Sequence, residues 1–316
     1  MKKLLAIRNS IENLYRRNST VSGYVLRLIF GFLSLFIISR NAGYNEVISL
    51  WWAAVVIAAA AALLPMRLMT LVIMIYIVIE VGTLSVGIGA VILAVMAIVY
   101  LMYFRLDEKY LYALILIPVL SMVRLTLLVP LVLALVAPAH TVIAVISGNI
   151  IYYMLRYINI NAAVFRGMSG QSEVSKASKF IIGFFPNTEF LYTTVILVIV
   201  FFAVYYFKKL RINSSVSIAA AAGSGIYIVL RIAALLIFGG VTAQKLVYTV
   251  AGSVVSLILA VITAGIILPL DFARTEYIEF EDEEYHYYVR AVPKAVISEE
   301  RVYVKNINRR RRGNRS

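Results

Sequence analysis

From Val21 to Leu270 the chain is almost wholly apolar, broken only by short polar punctuation. A segment of about 20 apolar residues is long enough to cross a hydrocarbon core about 30 Å thick. Several such segments in succession predict an all-α polytopic membrane protein. The composition agrees. Hydrophobic residues make up 62% of the chain and charged residues 15%, against roughly 45–50% and about 25% in soluble domains. The excess apolar surface has to face lipid or other helices.

Three regions follow from the patterning. Residues 1–20 read as an amphipathic interfacial helix: Leu4, Ile7, Ile11 and Leu14 recur at helical spacing, with Lys2, Lys3, Arg8, Arg16 and Arg17 around them. This segment carries charge throughout and lacks the compact apolar core and small-residue cleavage site of a signal peptide. Residues 21–270 form the transmembrane domain. Residues 271–316 form a charged tail, expected in the cytoplasm. Glu276–Glu284 holds six acids and Lys305–Arg315 six basic residues. Between them, Tyr285–Val292 and Arg301–Ile307 are rich in Tyr and Val with partial alternation, which points to strands. Such a tail is short for an independent core. It either makes a small β-ribbon, adds a strand to a protein partner's sheet, or stays a solvated charged segment.

The spans read as Ser22–Ser39, Ile48–Leu64, Leu68–Thr83, Val86–Phe104, His140–Tyr157, Phe190–Phe207, Val216–Phe238 and Leu246–Leu270. The polar connector Ile158–Asn187 carries an apolar patch, Phe180–Phe185, expected at the membrane interface. Tyr110–Ala137 is different: Pro118, Arg124 and Pro130 are spaced through it and Pro138 follows. Proline removes a helix hydrogen bond, and an arginine at mid-segment is costly in lipid. Two readings fit. One is a re-entrant hairpin of half-helices, about Tyr110–Met122 and Leu125–Ala137, beside about eight crossings. The other is one long kinked span with Arg124 buried against a neighbour. The positive-inside rule gives nearly equal loop charges either way. The hairpin keeps both the Lys208–Arg211 cluster and the arginine-rich tail on the N-terminal, cytoplasmic side, which favours it.

The formal charge is +14. Basic residues near helix ends meet anionic headgroups, so membrane lipids are the expected partners of Lys2, Lys3, Arg8, Arg16 and Arg17, and of Arg309, Arg310, Arg311 and Arg312 in the tail. No basic folded domain suggests nucleic acid. The chain has no cysteine and two histidines, His140 and His286, which excludes disulfides, thiolate nucleophiles and Cys/His metal cages. His286 beside Glu283 and Glu284 reads as part of a solvated charge run. No phosphate-binding loop, zinc signature or paired catalytic carboxylate is visible, so neither a cofactor nor an enzymatic activity is indicated.

Glu80, Arg124 and Arg231 lie within apolar spans. An intramembrane charge is paired, neutral or facing water, so these three form the expected substrate-binding site, with Arg124 at the junction of half-helices whose free backbone dipoles suit a transport site and whose guanidinium favours an anion. The structural alternative is a set of buried pairs that only fix helix register. Arg27 and Arg156, near span ends, can snorkel and receive no function. Gly223 and Gly225 are read as close-packing positions.

Three stretches, Tyr100–Lys109 leading into the proline-broken segment, Gly148–Arg156, and Thr275–Lys294, together resemble polytopic membrane proteins of Clostridia-like Gram-positive bacteria often labelled ABC transporter permeases. The resemblance implies a transport-type component with a separate ATPase subunit. Importer permeases typically dock that subunit through a Glu-Ala-Ala…Gly loop. No such loop is present, the connections at Pro65–Arg67, Arg105–Lys109 and Lys208–Asn213 are short, and no site residue transfers. The expected function is therefore a permease-like membrane component, with a non-enzymatic scaffold of an envelope assembly complex as the alternative.

Overall fold

The computed structural model describes residues 19–106, 110–168, 170–210, 215–267, 276–281 and 285–291, with the backbone alone at 19, 103–106, 277 and 290. Of the interfacial helix expected over residues 1–20, residues 1–18 with all its basic residues lie outside the described residues, as do Arg309–Arg312, and residues 19 and 20 belong to the first long helix.

Twelve helices are present among the described residues. They are α1 (Ser19–Ala42), α2 (Trp51–Ala62), α3 (Met66–Leu84), α4 (Val86–Leu106), α5 (Ala113–Met122), α6 (Leu128–Val136), α7 (Val142–Ile160, preceded by a 3-10 turn at Ala139–Thr141), α8 (Ala162–Gly167), α9 (Glu173–Phe184), α10 (Thr188–Phe207), α11 (Ser215–Phe238) and α12 (Ala243–Ile267). Two strands follow, β1 (Glu276–Glu281) and β2 (His286–Ala291). Six of the helical segments are long and apolar enough to cross a membrane: Thr20–Ala42, Met66–Leu84, Ala139–Ile160, Thr188–Phe207, Ser215–Phe238 and Ala243–Ile267. The protein is thus a helical, multi-pass membrane protein. α2, α5 and the apolar stretch Val86–Met102 of α4 fall short of that length.

The chain breaks its helices with local chemistry. Asn45 Oδ1 accepts from the N–H groups of Val47 and Ile48 at 2.9 and 3.1 Å, turning the backbone ahead of α2. Pro65 holds φ −60° and ψ 154° between α2 and α3. Arg27 of α1 donates to Leu64 O at 2.6 Å, satisfying a carbonyl at the end of α2. It therefore caps a neighbouring helix rather than only snorkelling. Pro130 sits in the first turn of α6, where its missing N–H costs nothing.

The most buried of the long spans is that of α7: 67% of its apolar window is covered, against 22% for α1 and α12. α5 packs on α7 and α1, and α6 packs on α12 and α10. The broken segment therefore joins the first half of the bundle to the last three long helices. Small residues permit the close approaches. A Cβ on Gly148 of α7 would lie 2.6 Å from Ile117 Cβ, and one on Gly223 would collide with Val204. Gly225, by contrast, has open space beside it.

α9 is amphipathic. Ser172 caps it by accepting from Ser175 N, and Lys176, Phe180 and Phe184 form its buried face. Phe180 and Phe184 pack on Tyr157 of α7 at ring separations of 5.8 and 6.3 Å. The apolar patch Phe180–Phe185 belongs to this helix and the residue after it. Glu173 at its start accepts from Gly87 N (2.9 Å) and Ser85 Oγ (2.6 Å) and pairs with Lys176 (2.7 Å), pinning α9 to the α3–α4 turn.

β1 and β2 form an antiparallel pair with Ile278 opposite Val289 and Phe280 opposite Tyr287. The second strand falls where Tyr and Val alternate, but the first falls in the acidic run, which charge alone did not mark as a strand. The reason is spacing: Ile278 and Phe280 share one face, while Glu279 and Glu281 take the other. His286 Nδ1 lies 3.3 Å from Glu281 Oε2 across the pair. The strand expected at Arg301–Ile307 lies outside the described residues.

Candidate functional site

Arg124 lies where α5 stops. Its N–H donates to Ser121 O at 3.1 Å and that of Leu125 to Leu120 O at 2.8 Å, the paired bonds of a Schellman helix ending. The residue at the turn adopts φ +68°, a conformation that usually goes to glycine because a side chain strains it. An arginine held there is an outlier that points to use of the side chain. The backbone is gripped from outside as well: a Cβ on Gly252 of α12 would stand 2.5 Å from Arg124 O, so only glycine lets α12 seat against the break.

The Arg124 side chain is exposed and opens into a cleft of about 80 Å³ formed by the break, α7, α10, α11 and α12. Four cations line it, Arg124, Arg156, Arg231 and Lys245, against one carboxylate, Glu189. Glu189 Oε1 accepts from Arg156 Nη1 and Arg231 Nη2, each at 2.9 Å. Arg231 also donates to Thr193 Oγ1. Tyr153 OH lies 2.9 Å from the same hydroxyl, fastening α7 to α10. Arg124 stacks over Tyr248 at 4.9 Å and Arg231 over Tyr192 at 4.9 Å, so a ring face orients the Arg124 guanidinium, and a ring face together with Glu189 orients that of Arg231. Among the described residues, neither Arg124 nor Lys245 has a carboxylate within ion-pair distance. Ser121 Oγ, also on the cleft wall, is buried without a hydrogen-bond partner.

A second hollow of about 130 Å³ shares Arg124, Tyr152 and Arg156 with the first and reaches Asn41 and Asn159. These two asparagines mark the C-terminal ends of α1 and α7, where Asn159 Nδ2 donates to Asn41 O at 2.6 Å. The cleft thus continues from Arg124 toward one end of the bundle. Its chemistry suits an anion. Three positive charges remain after Glu189 is counted, and arginine hydrogen bonds to an anionic oxygen are roughly twice as strong as neutral ones.

Of the three residues expected to share a site, two meet here. Arg124 and Arg231 line the same cleft, whereas Glu80 is not among its walls. Glu80 is fully buried in α3, where its Oε2 accepts from the N–H groups of Tyr44 and Asn45 at 2.9 and 3.0 Å and its Oε1 from Tyr76 OH at 2.9 Å. It thereby closes the α1–α2 connection. The carboxylate that does pair with Arg231 is Glu189.

Arg156, Glu189 and Lys245 carry no role in the sequence pattern because each lies near a helix end, where a charge reads as interfacial. What unites them is antiparallel packing: the end of α7, the start of α10, the end of α11 and the start of α12 come together. Hydropathy along one helix holds no trace of that meeting. No cluster of three or more metal-ligating side chains occurs among the described residues. Comparison with protein-family models, curated proteins and solved structures finds no match, so function has to be argued from the geometry.

Proposed function

We propose that this protein is a transport-type membrane component that receives an anionic group in the cleft at Arg124. The observation that carries the reading is an arginine at a strained, glycine-type position, aimed into a cleft with an excess of cations. A purely structural arginine gains nothing from that backbone strain, and a dry scaffold would neutralise its buried charges in pairs.

In this reading α5 and α6 form a re-entrant hairpin beside eight crossings made by α1–α4, α7 and α10–α12. Support comes from the ends. Lys208, just after α10, donates to Ala134 O, Leu135 O and Ala137 O at 2.6, 3.2 and 3.3 Å, capping α6. Arg124 meets Gly252, roughly 13 Å along α12 from its first residue and toward the opposite end of the bundle. Broken backbone at membrane depth is tolerated where protein covers it or water fills the site. With both termini on the cytoplasmic side, the cleft opens on the other face of the cell membrane. The resemblance to permease-labelled proteins agrees with a transport role, and coupling to a separate ATPase remains part of the same proposal.

Inorganic phosphate tests the cleft. It should raise the apparent melting temperature of the full-length protein in nonionic detergent at constant ionic strength. Arg124→Gln should remove that rise. No rise in the unaltered protein, or an undiminished rise in Arg124→Gln, overturns the reading.

A second reading has one observation in its favour. Ile278, Phe280, Tyr287 and Val289 leave an apolar face of the β-pair exposed, and an isolated two-stranded ribbon is marginal in water. A protein partner docked on the tail would make the chain a scaffold. Deleting residues 271–316 then abolishes partner recruitment while leaving the phosphate response intact.

A further inference from the structure

The two helices that build one wall of the cleft also build a second concavity on their opposite side. α10 contributes Leu191, Val195 and Ile199, one helical turn apart, and α11 contributes Leu230, Ala233 and Ile237. The groove holds about 470 Å³ and its walls are apolar apart from the Thr188 hydroxyl and the Tyr192 tip. Leu191, Val195 and Ile237 are exposed along it, as expected of a surface that meets hydrocarbon. Ala233 and Ala234 leave the space that larger side chains would fill.

Cleft and groove share a boundary. Tyr192 lines the groove and Arg231 the cleft, and the guanidinium sits 4.9 Å from the tyrosine ring centre. The other side of the ring region is closed by Phe238, stacked on Tyr192 at 5.4 Å with 10° between planes. Tyr192 therefore touches a residue of the cationic, polar-lined cleft and a residue of the apolar groove at this point of the α10–α11 seam. A small free anion would use the first hollow and have no need of the second. A molecule with an anionic head and a hydrocarbon tail uses both, and the positive charge of the cleft selects the sign of the head.

We infer that the ligand is an anionic membrane lipid, its headgroup in the cleft against Arg124 and Arg231 and one hydrocarbon chain in the groove between α10 and α11. The inference rests on the anion reading of the cleft and adds the substrate class. The Tyr192–Phe238 stack is the place where the headgroup passes from the lipid side to the polar side.

The test uses the full-length protein in phosphatidylcholine nanodiscs with two probes that carry the same diazirine-bearing acyl chain, one on phosphatidylglycerol and one on phosphatidylcholine. Labelled positions are read by peptide mass spectrometry. The anionic probe should label groove residues of α10 and α11 at least about fivefold more than the zwitterionic one, the factor expected of a single basic residue near an anionic headgroup. Ala233→Phe, which fills the groove without touching the cleft, should erase that preference and keep the protein's stabilisation by inorganic phosphate. Arg124→Gln should erase both. Equal labelling by the two probes alongside an intact phosphate response overturns the lipid inference and leaves the cleft reading standing. Loss of the phosphate response in the unaltered protein removes both. A preference that survives Ala233→Phe places the chain elsewhere and overturns the inference as well.

Discussion

Arg124 and Glu80 are both charges inside apolar sequence, and their surroundings give them opposite work. Glu80 has its oxygens occupied by two backbone N–H groups and a tyrosine hydroxyl. Truncating it strands those buried donors, at about 1–3 kcal/mol each. Glu80→Ala should therefore lower the apparent melting temperature in detergent by many degrees, and any protein that survives should still respond to phosphate. A folded Glu80→Ala protein that has lost the phosphate response would bring Glu80 back into the site. Arg124 has no such partners, and its backbone is strained by about 1–3 kcal/mol. Arg124→Gly should hold or raise the melting temperature while abolishing the phosphate response. A lower melting temperature would assign Arg124 a structural role instead.

At the level of elements, a single carboxylate ties the start of α9 to the α3–α4 turn. The Gly87 N–H, the Lys176 ammonium and the Ser85 hydroxyl all favour the charged form of Glu173 and hold its carboxyl at about 2. A carboxyl depressed in the folded state contributes its full stabilisation above the ordinary value of 4.5, and loses it as pH falls through about 2. Amide exchange in α9, corrected for intrinsic rates, should therefore stay slow at pH 5 and accelerate between pH 4 and 2. Glu173→Gln should show the fast behaviour already at pH 7, and exchange in the variant as slow as in the unaltered protein would remove Glu173 from this role. The helices themselves were largely legible from sequence. Asn45, Pro65 and Pro138 stand where helices stop, whereas Pro118 and Pro130 lie within α5 and α6 and the break falls between them. α5 and α6 nonetheless fall within the half-helices expected over Tyr110–Met122 and Leu125–Ala137. β1 was hidden because the six acids of Glu276–Glu284 outweigh its three hydrophobic residues, Tyr277, Ile278 and Phe280, in any local reading. The site was half legible. Arg124 and Arg231 stand out as charges in apolar surroundings, whereas Glu189, Arg156 and Lys245 acquire meaning only when four helix ends meet.

For the whole molecule, the broken segment matters most because it couples the two halves. α5 rests on α7 and α1, α6 rests on α10 and α12, and the cleft forms where they part. The proposed hairpin, with the end of its second arm capped by Lys208 and its tip carrying Arg124, would account for three separate facts: the cap on α6, the glycine at residue 252, and the cations gathered from α7, α11 and α12. It also predicts opposite access for two residues on one chain. The natural absence of cysteine allows this to be measured without background. Single cysteines at Arg124 and at Lys209 should be probed in sealed, oriented membranes with a membrane-impermeant thiol reagent. The cysteine at residue 124 should react from the face opposite the one that exposes residue 209. Reaction of both from the same face, or no reaction at residue 124 in a protein shown to be folded, would contradict a water-filled cleft above a re-entrant hairpin.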